Sequence, residues 1–290
     1  VPVDVITIRP SDASYPSALR EIADPPAQLF VWGDPAALSA APAVAVVGTR
    51  KPTDYGIRVA AHLARELAGV AVVVSGLAYG IDTVALSEAL AAGGITVAVI
   101  GSGLDRASFY PAINYQLAER MAAGGGAVVS EYPAGTPPLK QNFPARNRII
   151  AGLTLGTVVV EGAKGSGALI TAQHAVEFGR EVWAVPGSIF VPEAVGPNRL
   201  IQEGATPVHS AADILESLGL TLQLALPSSS SSVTPVEQTI NELLNRQAMS
   251  VDELARELAL DSHLVSSTLT LMEIKGMVKS TGAGKFARLH

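Results

Sequence analysis

Six cations stand in or beside the short turns that flank apolar runs: Arg50, Lys51, Lys140, Arg146, Arg148 and Lys164. The densest stretch is 140–172, KQNFPARNRIIAGLTLGTVVVEGAKGSGALITA. It reads as a basic loop, a helix with Arg146 and Arg148 flanking Asn147 at its mouth, and a fully apolar strand at 157–160. Glu161 ends that strand, and the glycine-rich turn Gly162-Ala163-Lys164-Gly165-Ser166-Gly167 follows at once. Glycines after a strand let backbone N–H groups approach an anion, and a following helix turns the positive end of its dipole to the same place. Cationic side chains facing an amide cradle suit a chain of phosphates. A nucleic acid or a nucleotide is therefore the expected ligand.

Other turns repeat the theme. Gly48-Thr49-Arg50 follows the apolar run 44–47, and an arginine there meets phosphate by a charge-assisted, bidentate contact. The turn lacks GxGxxG spacing, so a bound NAD or FAD is not indicated. Gly76-Leu77-Ala78-Tyr79-Gly80-Ile81-Asp82 places Asp82 in a first helical turn, where a carboxylate favours the dipole. Gly101-Ser102-Gly103-Leu104-Asp105 lines the same crevice, and no catalytic partner for Asp105 stands nearby. Glu161 is expected to pair with Arg146 or Arg148 and orient them. The order GxxxxGK[ST] is missing from 162–167, which removes the case for ATP hydrolysis. The five histidines are scattered without metal-ligand spacing. The chain offers a binding site rather than a catalytic one, with neither cofactor nor metal expected.

The elements that must hold these turns follow a regular rhythm. Apolar runs at 44–47, 70–74, 96–100, 127–129, 157–160 and 182–185, with a short one at 206–208, alternate with amphipathic segments such as 57–67 and 83–92. Fully apolar strands alternating with helices predict an α/β fold, a doubly wound, mainly parallel sheet covered on both faces. Ligands bind beyond the carboxyl ends of such strands, where these turns lie. Residues 1–42 read as an irregular lead-in packing on the main domain, with a short strand at 28–32; the main domain is 43–224. A Ser/Pro stretch marks a linker at 225–235. Beyond it, 236–290 reads as helices at 236–244, 250–258 and 262–275 followed by a hairpin, a winged-helix pattern. Its third helix has few cations, and the unit carries Asp252, Glu253, Glu257, Asp261 and Glu273 on or beside its helices. A protein-interaction or accessory DNA role suits that unit better than duplex reading, which needs basic surface.

Composition narrows the classes. The chain is 48% hydrophobic and 5% aromatic, which fits buried strands and leaves few rings for stacking: Phe143, Phe109 and Tyr110 are the candidates. Without cysteine there are no disulfides or thiolate metal sites, so a reducing compartment is expected. No leader-like or membrane-spanning run is present, so a cytoplasmic protein with no membrane partner is expected. A net charge of −6 argues against coating a duplex by bulk charge, while a focused basic groove favours single strands.

Four blocks, GTRKPTDYG, SGLAYGID, FPARNRIIAGL and EGAKGSGALITA, in this order and spacing, resemble the bacterial DNA-processing protein A family (DprA/Smf). The resemblance runs from about residue 11 to 218, and the trailing unit is similar to the small C-terminal domain many members carry. It implies an extended Rossmann domain that binds single-stranded DNA without sequence preference and protects it. It further implies help in loading RecA recombinase during natural transformation and recombination, action as a homodimer, and no catalytic turnover. The DNA-binding residues it implies are Gly48, Thr49, Arg50, Lys140, Phe143, Arg146, Asn147, Lys164, Gly165, Ser166 and Gly167. Leu200 and Ile201 match the region of the homodimer contact. Thr49 replaces a frequent serine and keeps the hydroxyl. The alternative class is a Rossmann-like nucleotide hydrolase of the phosphoribohydrolase type, with Glu161 over a ribose.

Overall fold

The structure, a computed structural model, describes residues 4–40, 42–220, 235–244, 247–258, 260–274, 278–282 and 285–288. The chain divides into two compact units, Val1–Leu222 and Gln223–His290. Most of the linker expected at 225–235 lies outside the described residues.

In the first unit the chain order is β1 (Val5–Ile8), α1 (Ser17–Arg20), β2 (Leu29–Gly33), β3 (Ala43–Val47), α2 (Asp54–Ala68), β4 (Val72–Ser75), α3 (Ile81–Ala91) and β5 (Thr96–Ile100). There follow α4 (Tyr115–Ala123), β6 (Ala127–Ser130), α5 (Asn142–Leu153), β7 (Gly156–Val159), α6 (Gly167–Glu177), β8 (Glu181–Ala184), α7 (Val195–Gln202), β9 (Thr206–Pro207) and α8 (Ala211–Ser217). The nine strands form one sheet in the order β1-β2-β6-β5-β4-β3-β7-β8-β9. From β6 to β9 every pairing is parallel, while β2 joins β6 and β1 joins β2 antiparallel. The expected apolar runs are all strands of this sheet. β1 was not anticipated: it is an edge strand that leaves Ile6 46% exposed, so it shows no continuous run of burial.

Side-chain alternation sorts the core into two layers. Val44, Val46, Val73, Ala98 and Val128 face α2, α3 and α4 through Leu63, Leu67, Leu86 and Met121. Ala45, Val47, Val74, Val97 and Val129 face the opposite layer, where Ile149, Ile150 and Leu153 of α5 and Ala172 of α6 pack. Each buried valine, leucine, isoleucine or methionine among them contributes about 1.5–3 kcal/mol, enough to hold the sheet rigid beneath its loops. Between β7 and β8 the approach is closest at Gly156, where a Cβ would overlap the indole of Trp183. That indole is fully buried and donates to Ser217 Oγ at 2.8 Å. Gly156→Ala is therefore expected to cost about 1–3 kcal/mol by overpacking, read in urea unfolding followed by tryptophan emission.

The second unit contains α9 (Pro235–Leu244), β10 (Met249–Ser250), α10 (Val251–Leu258), α11 (Ser262–Ile274), β11 (Val278–Gly282) and β12 (Lys285–Arg288). Its strands run β10-β12-β11, all antiparallel. Ile240, Leu254, Val265, Leu269 and Val278 form its core. Ser250 and Glu253 form a capping box: Ser250 N donates to Glu253 Oε2 at 2.7 Å, and Glu253 N donates back to Ser250 Oγ at 3.3 Å. Three helices with a hairpin form the winged-helix pattern, and β10 adds a third strand to it. Among the described residues no helix is long and apolar enough to cross a membrane.

Candidate nucleic-acid interface

Strand order reverses direction between β3 and β7, so the chain leaves the sheet on both sides of that gap. Parallel pairing brings the turns after β3, β4, β5 and β7 to one carboxyl edge. Arg50 is exposed there, its guanidinium over the Phe143 ring at 5.3 Å from the centroid. Phe143 meets Tyr110 at 5.7 Å, and Tyr110 meets Tyr79 edge-on at 6.2 Å. Arg50, Tyr79, Tyr110, Phe143 and Arg146 line one small cavity with Gly76 and Gly101. Lys140 is exposed two residues before α5 begins. Among the described residues Arg50, Lys140 and Lys164 form no ion pair. Phe109, a candidate stacking ring in the sequence, is instead core: it is 4% exposed and packs on Trp32 and Tyr115.

Arg146 and Asn147 lie beneath this surface. α5 starts at Asn142, so both sit within the helix rather than at its mouth. Arg146 is 5% exposed; its Nη1 donates to Gly76 O at 2.7 Å and to Val99 O, and its Nε donates to Asn147 Oδ1 at 3.2 Å. Asp82 is buried beside it and accepts from the N–H of Gly76 at 3.1 Å and of Ala78 at 3.4 Å. Burial pushes Arg146 down to about 10 against the pull of Asp82, and burial pushes Asp82 up against the pull of Arg146. A Cβ at Gly76 would stand 2.6 Å from both terminal nitrogens of Arg146 and 2.7 Å from Asp82 Oδ2. The glycine is needed because the Arg146 guanidinium and the Asp82 carboxylate crowd that space from two sides. Asn147 Nδ2 donates to Gly167 O at 3.0 Å and ties α5 to the start of α6.

Glu161 does not pair with Arg146 or Arg148. Its Oε1 accepts from Thr53 Oγ1 at 2.5 Å and its Oε2 from Thr53 N at 2.9 Å. Thr53 caps α2, accepting from Gly56 N at 3.2 Å. The reason is sheet order: β7 lies beside β3, so the residue after β7 faces the loop after β3, while Arg146 reaches over β4 and β5. Arg148 is held by Glu131 at 2.7 Å and by Asp24 at 3.1 Å, which fastens the N-terminal segment to α5. Asp105 accepts from Gly135 N at 2.7 Å and from Ser108 N at 3.2 Å, bonds that hold its carboxyl below the usual range. It pins two loops together.

Lys164 and Gly165 occupy an exposed turn, with Gly165 left-handed at φ 82°. Ser166 caps α6, its Oγ accepting from Ala168 N at 3.4 Å. These residues stand one strand away from the aromatic cavity and do not line it. Gly48 lets the β3 turn press on α3, since a Cβ there would stand 2.6 Å from Ile81. Thr49 N donates to Glu161 O at 2.7 Å, and its Oγ1 accepts from Lys51 N at 3.3 Å. A second, largely apolar cavity of about 430 Å³ opens beside Glu161, walled by Tyr55, Val160, Val185 and Pro186. On α7, Leu200 and Ile201 are half-buried, and Ile189, Phe190 and Val195 nearby are 80%, 89% and 44% exposed.

Sequence reasoning passed over Tyr79 and Asn114. Asn114 Nδ2 donates to Leu77 O at 2.9 Å and to Thr83 Oγ1 at 2.7 Å, and so fixes the turn that carries Tyr79. The YGID run after an apolar strand was the available signal for the tyrosine; nothing local marks the asparagine.

Fold and site together define a Rossmann-like α/β protein with a cationic, aromatic carboxyl edge and a separate winged-helix unit. The model of the family described as DNA recombination-mediator protein A matches residues 6–219, and that of the DprA winged helix domain matches 225–284. The chain belongs to the DNA recombination-mediator protein A family. It is 49% identical over 213 residues to DNA processing protein DprA of Bacillus subtilis, covering 73% of this chain and 71% of that one. It is 46% identical over 211 residues to Protein Smf of Escherichia coli, covering 72% of this chain and 56% of that one. The chain thus spans little more than half of the latter. Among solved structures, DNA processing protein A from Streptococcus pneumoniae superposes with a TM-score of 0.69 at 45% identity, covering 73% of this chain and 74% of that one. DNA processing protein A from Helicobacter pylori, described for its single-stranded DNA binding mode, gives 0.66 at 30% identity, with coverages of 74% and 96%.

Proposed function

We propose that this chain binds single-stranded DNA along the carboxyl edge of its sheet, without sequence preference, and protects it. The observation that carries the reading is Arg50: exposed, without a carboxylate partner among the described residues, and over the Phe143 ring at a cavity whose own buried arginine donates its hydrogen bonds inward. Lys140 extends the cationic rim, and Lys164 with Gly165, Ser166 and Gly167 offers a second phosphate contact after β7. Gly48 and Thr49 set the path of the Arg50 turn. Arg146 and Asn147 serve from below, shaping the floor and tying α5 to α6. Phosphate contacts and a few stacked rings recognise any unpaired strand, because every base has a π-face.

In this reading the protein acts as a homodimer through α7, where Leu200 and Ile201 lie and where Ile189, Phe190 and Val195 leave apolar surface uncovered. It loads RecA recombinase on the bound strand during transformation and recombination, in the cytoplasm, and performs no turnover. The nucleotide-hydrolase alternative loses its acid/base group, since Glu161 is committed to Thr53 and to the start of α2.

The test is an anisotropy titration of labelled oligothymidylate and of matched duplex at two salt concentrations. Strong preference for the single strand, weakening with salt, is expected. Equal weak binding to both would remove the DNA reading and make release of free base from nucleoside monophosphates the next assay.

A further inference from the structure

Arg50 offers one phosphate contact; the ring at the far end of the aromatic series that starts beneath it is unassigned. Arg50, Phe143, Tyr110 and Tyr79 form an unbroken series of face and edge contacts at 5.3, 5.7 and 6.2 Å. Tyr79 ends the series with 43% of its surface exposed, and its hydroxyl bonds to no described residue. An internal hydrogen bond therefore does not explain why a tyrosine stands there.

The turn that presents the ring is unusually constrained. Leu77, fully buried, holds φ 54°, a conformation costly for a branched side chain, and Gly80 holds φ 78°. A Cβ at Gly80 would overlap Thr49 O and come within 2.9 Å of Arg50 Cα, so this turn is pressed directly on the Arg50 turn. Asp82 accepts from Gly76 N and Ala78 N, Thr83 Oγ1 donates to Ala78 O at 2.6 Å, and Asn114 donates to Leu77 O. An exposed aromatic on a backbone fixed from four sides loses little freedom when a flat ligand settles on it.

We propose that Tyr79 is a second nucleobase subsite: a strand anchored at Arg50 and Phe143 continues past Tyr110 and stacks its next base on Tyr79. This rests on the single-strand reading above. A duplex keeps its base faces covered, so the subsite serves only unpaired bases and adds to the discrimination against duplex.

The test compares the wild type, Tyr79→Ala and Tyr79→Phe on a short oligothymidylate and on copies each lacking one base at a successive position. Tyr79→Ala is expected to weaken binding about fivefold and Tyr79→Phe hardly at all, with unfolding curves that overlay. At one position, removing the base should weaken the wild type by a similar factor and Tyr79→Ala no further, since the base and ring lost are then partners. Tyr79→Ala binding as the wild type, or losing equally at every base-deleted position, would overturn the subsite while leaving single-strand binding in place. Failure of the wild type to bind the intact strand would instead overturn the single-strand reading, and the subsite with it.

Discussion

Arg50→Glu lowers affinity for single-stranded oligothymidylate at least tenfold, Lys140→Glu does the same, and the double variant loses on the order of a hundredfold or more. The magnitude follows from the contact. A hydrogen bond between a cation and phosphate is worth about 1.5–3 kcal/mol, each 1.4 kcal/mol is about tenfold, and reversal adds repulsion to the loss. Neither substitution should disturb the fold, because Arg50 is exposed and rests only on the Phe143 ring, and Lys140 is exposed ahead of α5. The measurement is a salt series on each variant. Losing one phosphate contact should flatten the log–log slope by about 0.7 for a single strand, with unfolding midpoints unchanged. Unaltered affinities at matched salt would move the binding site elsewhere.

Asp82→Ala has the opposite character: its largest effect is on stability. The substitution removes the buried opposite charge near Arg146 and leaves the N–H groups of Gly76 and Ala78 without the carboxylate that accepts from them. A buried donor left without its acceptor costs about 1–3 kcal/mol, and the loss of the opposite charge near Arg146 adds to it, together a large part of the stability of an ordinary domain. Arg146→Met is expected to be nearly as severe, since it strands the Asp82 carboxylate and leaves Gly76 O and Val99 O without their donor. Because each variant removes the attraction between the two buried charges, the double variant should cost less than the sum. Urea unfolding of the four proteins reads this directly, and strict additivity would show that the two residues do not act together.

The sheet was legible because parallel strands covered on both faces read as unbroken apolar runs, and the runs ending at residues 47, 100 and 129 each close within a residue of an observed strand end. The glycine-rich turns were legible because their spacing is a local demand of the backbone. Partner choice was not. Glu161 is closer in sequence to Arg146 than to Thr53, yet it bonds to Thr53, since strand order sets β7 beside β3. Periodicity carries no record of strand order. Burial likewise separates residues that look alike in the chain: Phe109 is core and Tyr79 is surface, although both follow strands near the carboxyl edge.

Arg146 and Arg50 lie on the same small cavity but answer to different constraints. One donates hydrogen bonds inward, to the carbonyls of Gly76 after β4 and Val99 in β5; the other donates none among the described residues. Changes at 50, 140 and 164 can then tune the grip on a strand, while changes at 76, 82 and 146 are screened first by folding. A lineage under pressure to hold its ligand more loosely or more tightly has a set of adjustable positions that the architecture does not need. Selection at the rim then acts through the ligand alone, and selection at the floor acts through folding first.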